Sequence, residues 1–128
     1  MTCSPILLLQ TCKKGELIMD TQMKKGVLEM CILHQIKSGP VYGYEIMKYV
    51  RQVFVDVYEG SIYTILRRLH SMGYTETTKR ESPSGPPRKY YDITESGKVY
   101  LDEMMKEWNN IVQAVSSLGI LTYAHCRD

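Results

Sequence analysis

Thr64 and Arg67 lie one helical turn apart in Gly60-Ser61-Ile62-Tyr63-Thr64-Ile65-Leu66-Arg67-Arg68-Leu69, on the side of a helix opposite Ile62, Leu66 and Leu69. A hydroxyl and a guanidinium on a rigid rod can reach base edges and phosphates, while the apolar stripe behind them holds the rod in place. Ser61 and Tyr63 flank that pair near the N-terminal end and bring two more hydroxyls. Downstream, Arg88 and Lys89 follow the stiff loop Ser82-Pro83-Ser84-Gly85-Pro86-Pro87. Cations there can neutralise phosphates, and a proline-rich loop has little entropy to lose on binding. Each set also has a plainer reading: polar residues opposite a core stripe are commonly just solvated, and a charged turn is commonly just exposed.

The elements that must carry these side chains follow from periodicity and punctuation. Leu28, Ile32 and Ile36, flanked by Val27, Cys31 and Leu33, predict a first helix over Met23 to Lys37 that is packed on two sides. Ser38-Gly39-Pro40 ends it, because glycine can take the left-handed cap and proline cannot continue the ladder. A second helix is expected from about Tyr42 to Val53 with Ile46, Val50 and Val53 inward. A third begins near Glu59, has Ile65 and Met72 at the border of its stripe, and closes at Gly73. Tyr74 to Lys79 and Arg88 to Ile93 read as the two strands of a hairpin. Three helices followed by a two-stranded hairpin are a winged helix-turn-helix, mainly α with a small β wing.

Thr94-Glu95-Ser96-Gly97 opens a fourth helix, threonine serving as N-cap and glutamate suiting the positive end of the helix dipole. Leu101, Met104, Trp108, Ile111, Val115 and Leu118 alternate spacings of three and four along it, thickened by Met105 and Val112. This seam is too short to stand alone as a coiled coil and must pack against something. Two uses fit it: the core of a dimer, or a flat surface at Met104 and Trp108 that accepts a planar hydrophobic molecule. The first is the commoner fate of such a stripe.

Composition bounds the rest. The chain has 128 residues and a formal net charge of +2, which is one domain with no basic tail, so nucleic-acid contact must come from local charge. Between Gly60 and Lys98 the cations Arg67, Arg68, Lys79, Arg80, Arg88, Lys89 and Lys98 outnumber the acids Glu76, Glu81, Asp92 and Glu95. Cys3, Cys12, Cys31 and Cys126 sit at scattered spacings and form no C-x-x-C pair, which argues for reduced thiols in a cytoplasmic protein and against zinc or a disulfide framework. His34, His70 and His125 are far apart, no phosphate-cradling glycine loop is present, and no catalytic constellation stands out, so neither an enzyme nor a cofactor is expected.

Ile6-Leu7-Leu8-Leu9 is too short to span a membrane and lacks the flanks of a signal peptide, so no membrane partner is expected. Lys13-Lys14-Gly15-Glu16 can be encoded as the purine tract AAGGGGGAG, two codons ahead of Met19, and so reads as a translated ribosome-binding site. On that reading residues 1–18 are an upstream extension, with a disordered arm the alternative. Residues 19–93 form the winged helix, 94–119 the dimerisation helix, which ends near Gly119, and 120–128 a flexible tail.

Several motifs together resemble the PadR family of transcriptional regulators. They are Lys25-Gly26-Val27-Leu28-Glu29, Gly39-Pro40-Val41-Tyr42-Gly43-Tyr44-Glu45-Ile46, Glu59-Gly60-Ser61-Ile62-Tyr63-Thr64-Ile65-Leu66-Arg67-Arg68-Leu69, Gly85-Pro86-Pro87-Arg88-Lys89-Tyr90-Tyr91 and Thr94-Glu95-Ser96-Gly97. The resemblance covers about Met23 to Leu118. It implies a homodimeric winged-helix repressor of the short type, with the C-terminal helix supplying most of the dimer contact. It further implies that Tyr63, Thr64 and Arg67 face DNA and that Arg88 and Lys89 sit on the wing. Some relatives bind aromatic compounds beside a tryptophan of the same helix, which makes Trp108 a candidate for a small aromatic or hydrophobic effector. One departure is Tyr58, where the family often has a serine N-cap.

The expectation is therefore a sequence-specific DNA-binding regulator that binds an inverted-repeat operator as a homodimer. The rival readings are a winged-helix module for protein interaction and a small-molecule sensor without an operator of its own.

Overall fold

The computed structural model of the protein describes residues 13–120, with side chains from residue 24 onward. Helix α1 spans Lys13–Lys37, β1 Val41–Tyr42, α2 Gly43–Val53, α3 Glu59–Ser71, β2 Thr75–Arg80, β3 Arg88–Ile93 and α4 Glu95–Ser117. The expected upstream extension falls outside the described residues over 1–12, and the backbone of 13–18 is helical; the expected tail over 121–128 likewise lies outside them.

Helix α1 starts at Lys13 rather than near Met23. Nothing in Lys13 to Gln22 stops a helix: there is no proline, and lysine, glutamate, leucine and methionine propagate backward at small cost from a turn already packed. Its other end follows the sequence signal, with Gly39 at φ 134° and its N–H bonded to the Ile36 carbonyl at 3.1 Å. The chain then forms β1, a strand the sequence does not announce, before α2 begins at Gly43.

Because β1 pairs with β3, the sheet has three antiparallel strands in the order β1-β3-β2 instead of the expected two. Val41 lies opposite Tyr91 and Tyr42 opposite Tyr90, while Thr75 to Arg80 run opposite Ile93 to Arg88. Alternation turns Tyr91 and Ile93 inward, both buried, and turns Tyr42, Tyr90 and Arg88 outward.

The core is built where the stripes of the helices converge. Ile32, Leu33 and Ile36 of α1, Ile46 of α2, and Ile62, Leu66 and Leu69 of α3 are all essentially fully buried. Val53 departs from expectation and is 64% exposed, because α2 ends there and half-buried Phe54 takes the inward position. Met72, at the C-cap of α3, is also exposed.

Two junctions fix α4 to this core. Thr94 accepts a hydrogen bond from the Gly97 N–H at 3.0 Å, the N-cap read from the sequence, and its own hydroxyl donates to the Gly73 carbonyl at 2.7 Å. Gly97 packs so closely on the hairpin that a Cβ there would overlap the carbonyl oxygen of Tyr74. Leu101, one turn on, is completely buried in the protomer. Its expected place in a dimer seam is therefore corrected: it has no surface left to offer a second copy. Met105 packs partly on the same core and keeps part of its surface.

Candidate nucleic-acid interface

Helix α3 begins without a side-chain cap. Tyr58, in the N-cap position, makes no capping hydrogen bond, and its carbonyl accepts instead from the Ser61 N–H at 3.0 Å. Its ring is 76% exposed and lies against Gly60, where a Cβ would come within 2.8 Å of the Tyr58 ring. Arg51 braces the entry, donating to the Val57 carbonyl at 3.1 Å and reaching Glu59 at 3.4 Å.

The exposed face of α3 is a ladder of internal hydrogen bonds. Thr64 donates to the Gly60 carbonyl at 2.8 Å, Arg67 to the Thr64 hydroxyl at 3.4 Å, and Ser71 to the Arg67 carbonyl at 3.2 Å. Thr64 and Arg67 are exposed, Ser61 is half-buried, and Tyr63 packs partly against the core. Burial pushes the Tyr63 phenol up from its ordinary range, with the nearby Glu59, Tyr42 and Tyr44 adding to the shift. Ser61 and Thr64 also line a hollow of about 670 Å³ between α1, the α2–α3 loop and α3, whose walls include Lys24, Val55 and Tyr58.

The structure does not bring Arg88 and Lys89 to one place. As neighbours on a strand they point to opposite faces of the sheet. Lys89 shares the face of Tyr91, whose phenol is pushed up by burial and by Tyr63 and drawn down by Arg67, so this face adjoins α3. Arg88 turns to the outer face and sits over the Tyr42 ring, 4.9 Å from its centroid.

Arg68, beside Arg67 in sequence, is committed elsewhere. It pairs with the carboxylate of Glu29 on α1, which is 4% exposed and also accepts a hydrogen bond from the Tyr100 hydroxyl of α4 at 2.7 Å. Tyr100 in turn stacks on Tyr74, with ring centroids 4.1 Å apart and planes 9° off parallel. One buried carboxylate thus ties α1, α3 and α4 together. Burial, then the hydrogen bond and charge of Glu29, push the Tyr100 phenol up to about 12. Sequence reasoning missed this junction; Glu29 gave no signal beyond an acid inside an apolar run.

Along α4 the seam loosens with distance from Leu101. Met104, Val112 and Val115 are half-buried, whereas Trp108, Ile111 and Leu118 are 40%, 45% and 82% exposed. Trp108 and Met105 border a hollow of about 200 Å³ whose α1 side carries Met30, Cys31 and His34. Met105 takes the place expected of Met104, since it lies one turn beyond Leu101 on the face turned to α1. The Cys31 thiol beside it is pushed up by burial. Among the described residues no cluster of histidine, cysteine and acidic side chains is placed to hold a metal ion, and no helix is long and apolar enough to cross a membrane.

An exposed hydrogen-bonding helix face, backed by a fully buried stripe and followed by a hairpin whose far end is cationic, defines a winged helix-turn-helix regulator. Comparison with known proteins agrees. The model of the transcriptional regulator PadR-like family matches residues 32–103. A PadR-like transcriptional regulator of Bacillus cereus has 43% sequence identity and a TM-score of 0.67, covering 76% of this chain and 95% of that one. A Streptococcus transcriptional regulator has 33% identity and a TM-score of 0.70, over 78% and 99% of the two chains. An uncharacterised protein of Lysinibacillus sphaericus is 32% identical over 71% of this chain and 86% of its own length. The chain belongs to the PadR-like family of transcriptional regulators, and is a DNA-binding regulator of transcription.

Proposed function

We propose that the protein is a repressor that binds an inverted-repeat operator as a homodimer. The observation that carries this reading is α3 itself: Ile62, Leu66 and Leu69 are fully buried behind an exposed Thr64 and Arg67, so the helix is anchored on one side and presents polar side chains to solvent on the other. Ser61, Tyr63, Thr64 and Arg67 read base edges and adjacent phosphates, and Arg88 and Lys89 neutralise phosphates from the two faces of the wing. Trp108, Ile111, Val112, Val115 and Leu118, with the outer part of Met104, join two copies along α4. Two-fold symmetry then sets the half-sites about one helical turn, ~34 Å, apart or at a multiple of it.

Salt and substitution test this together. Affinity for a bound duplex falls steeply with ionic strength. Arg67→Ala relaxes sequence preference, whereas Lys89→Ala weakens every duplex alike. Unchanged operator binding in both Arg67→Ala and Arg88→Ala would remove the assigned contact face. A protein-interaction module would instead show no preference among duplexes and little salt dependence.

The hollow at Trp108 favours a second element of the reading, release by a small aromatic or hydrophobic ligand seated between α1 and α4. Such a ligand acts only through different affinity for the two dimer geometries. Trp108 is the only tryptophan in the chain, so its emission reports directly on the site. Quenching by planar cations or phenolic acids is the expected result; no quenching and no heat of binding would exclude the pocket.

A further inference from the structure

The outer face of the wing sheet carries an arrangement that the recognition helix does not use. Tyr90 of β3 stacks on Tyr42 of β1, with centroids 5.7 Å apart and planes at 28°. Arg80 sits over Tyr90 at 4.4 Å and Arg88 over Tyr42 at 4.9 Å, so two guanidinium groups bracket a pair of stacked phenols. The series continues onto α2, where Tyr44 lies 6.0 Å from Tyr42 and Lys48 stands 5.8 Å over the Tyr44 ring. Tyr42 and Tyr44 also lie close enough to Tyr63 to bear on its phenol, so the series reaches the flank of α3.

Its charge is unbalanced in a way that costs stability. Arg80 lies directly opposite Arg88 on this outer face, a like-charge pair at the far end of the hairpin, and Lys79 opposite Lys89 makes a second such pair on the other face. The acidic pair Glu76 and Asp92 shares the outer face but lies at the near end of the hairpin, four residues along each strand from Arg80 and Arg88. Among the described residues the side chains of Arg80, Arg88 and Lys48 make no ion pair and no hydrogen bond, although Glu81 follows Arg80 in the chain. A cation resting over a ring is held in place while its N–H donors stay available for a second partner. Cations crowded at one end of a face, restrained over rings and engaged in no ion pair suit a polyanion with regularly spaced charges.

We infer that this face is a second surface for the phosphate backbone of duplex DNA, in which Arg80, Arg88 and Lys48 neutralise phosphates and Tyr42, Tyr44 and Tyr90 hold those cations in place. The inference rests on the DNA-reading role proposed above and adds Arg80, Lys48 and the three tyrosines to it. The track carries affinity and no sequence preference, since phosphates are the same under every base.

Binding of the full chain to a mixed-sequence duplex, measured across a salt series, tests it. Arg80→Ala is expected to weaken binding by roughly five- to tenfold at moderate salt and to make the slope of log affinity on log salt shallower by about 1. Arg80→Lys keeps the slope and loses part of the affinity, because the charge remains and the planar group does not. Lys48→Ala behaves as Arg80→Ala does. Tyr90→Leu keeps the slope near wild type and weakens binding by about two- to fivefold. Lys106→Ala, an exposed cation on α4, changes nothing. Wild-type affinity and slope in both Arg80→Ala and Lys48→Ala, with Arg67→Ala still relaxing sequence preference, would overturn the track and leave the recognition helix standing. Absence of duplex binding by the unmodified chain would instead remove the DNA-reading role and the track with it.

Discussion

Helices α3 and α4 carry apolar stripes of comparable regularity, and they end up in opposite conditions. The α3 stripe of Ile62, Leu66 and Leu69 is fully buried within the protomer. The α4 stripe is buried only at Leu101, and beyond Met105 it emerges until Leu118 is 82% exposed. Periodicity states which face of a helix is apolar; it does not state whose surface covers that face. For α3 the cover comes from α1, α2 and the sheet. For the outer half of α4 a second copy supplies it on the proposed reading, and this contrast can be broken from either side.

The largest effect belongs to the buried stripe. Leu66→Ala should cost about 2–5 kcal/mol of stability, since it leaves a cavity beneath the recognition helix. Denaturant unfolding at fixed protein concentration measures it. A cost under about 1 kcal/mol would mean that α3 is not anchored as described.

Next comes the exposed stripe. Ile111→Glu should leave the protomer folded, split the dimer in sedimentation equilibrium and abolish the rise of Tm with protein concentration. Binding to an inverted repeat should fall by roughly 100-fold or more, because each half-site is then bound separately. A variant that still sediments as a dimer would place the interface elsewhere.

Smaller effects sharpen the boundary between the two regions, which is the Glu29 junction. Tyr100→Phe removes a hydrogen bond to a buried carboxylate and should cost about 1–2 kcal/mol. It should also change alkaline behaviour. An unfolded tyrosine ionises near pH ~10, whereas the Tyr100 phenol is pushed up to about 12 by burial and by Glu29. Between those values the folded chain holds a proton that the unfolded chain has released, so stability falls as pH rises through the window and is unaffected by this group below it. Tyr100→Phe should flatten that decline; an unchanged alkaline profile would assign it to other tyrosines.

Local signals were legible and non-local ones were not. The caps at Gly39, Gly73 and Thr94, the stripe of α3 and the hairpin all follow from residues within a few positions of one another. Strand β1 did not show, because two residues have no period and its partner lies on β3. Val53 was misplaced by extending a helical period past the last turn. Leu101 belongs by spacing to the seam of α4 yet is buried within the protomer, because a heptad cannot tell an internal seam from an external one. Glu29 was missed since Arg68 and Tyr100 lie 39 and 71 positions away.

The candidate site divides in the same manner. Thr64 and Arg67 share an exposed face as their spacing requires. Arg88 and Lys89 are adjacent cations in the sequence, and strand alternation sends them to opposite faces. The tyrosine and cation series on the outer face depends on the register of β1 against β3, which no local pattern encodes.

Selection of bound sequences from a random duplex library, run in parallel with the unmodified chain and with Arg67→Ala, tests most directly whether α3 reads DNA. The unmodified chain should enrich a shared inverted repeat, and Arg67→Ala should bind the pool while losing that repeat at the positions its guanidinium reaches. The same repeat from both proteins, or no shared sequence from the unmodified chain, would contradict a recognition helix presented by Ile62, Leu66 and Leu69.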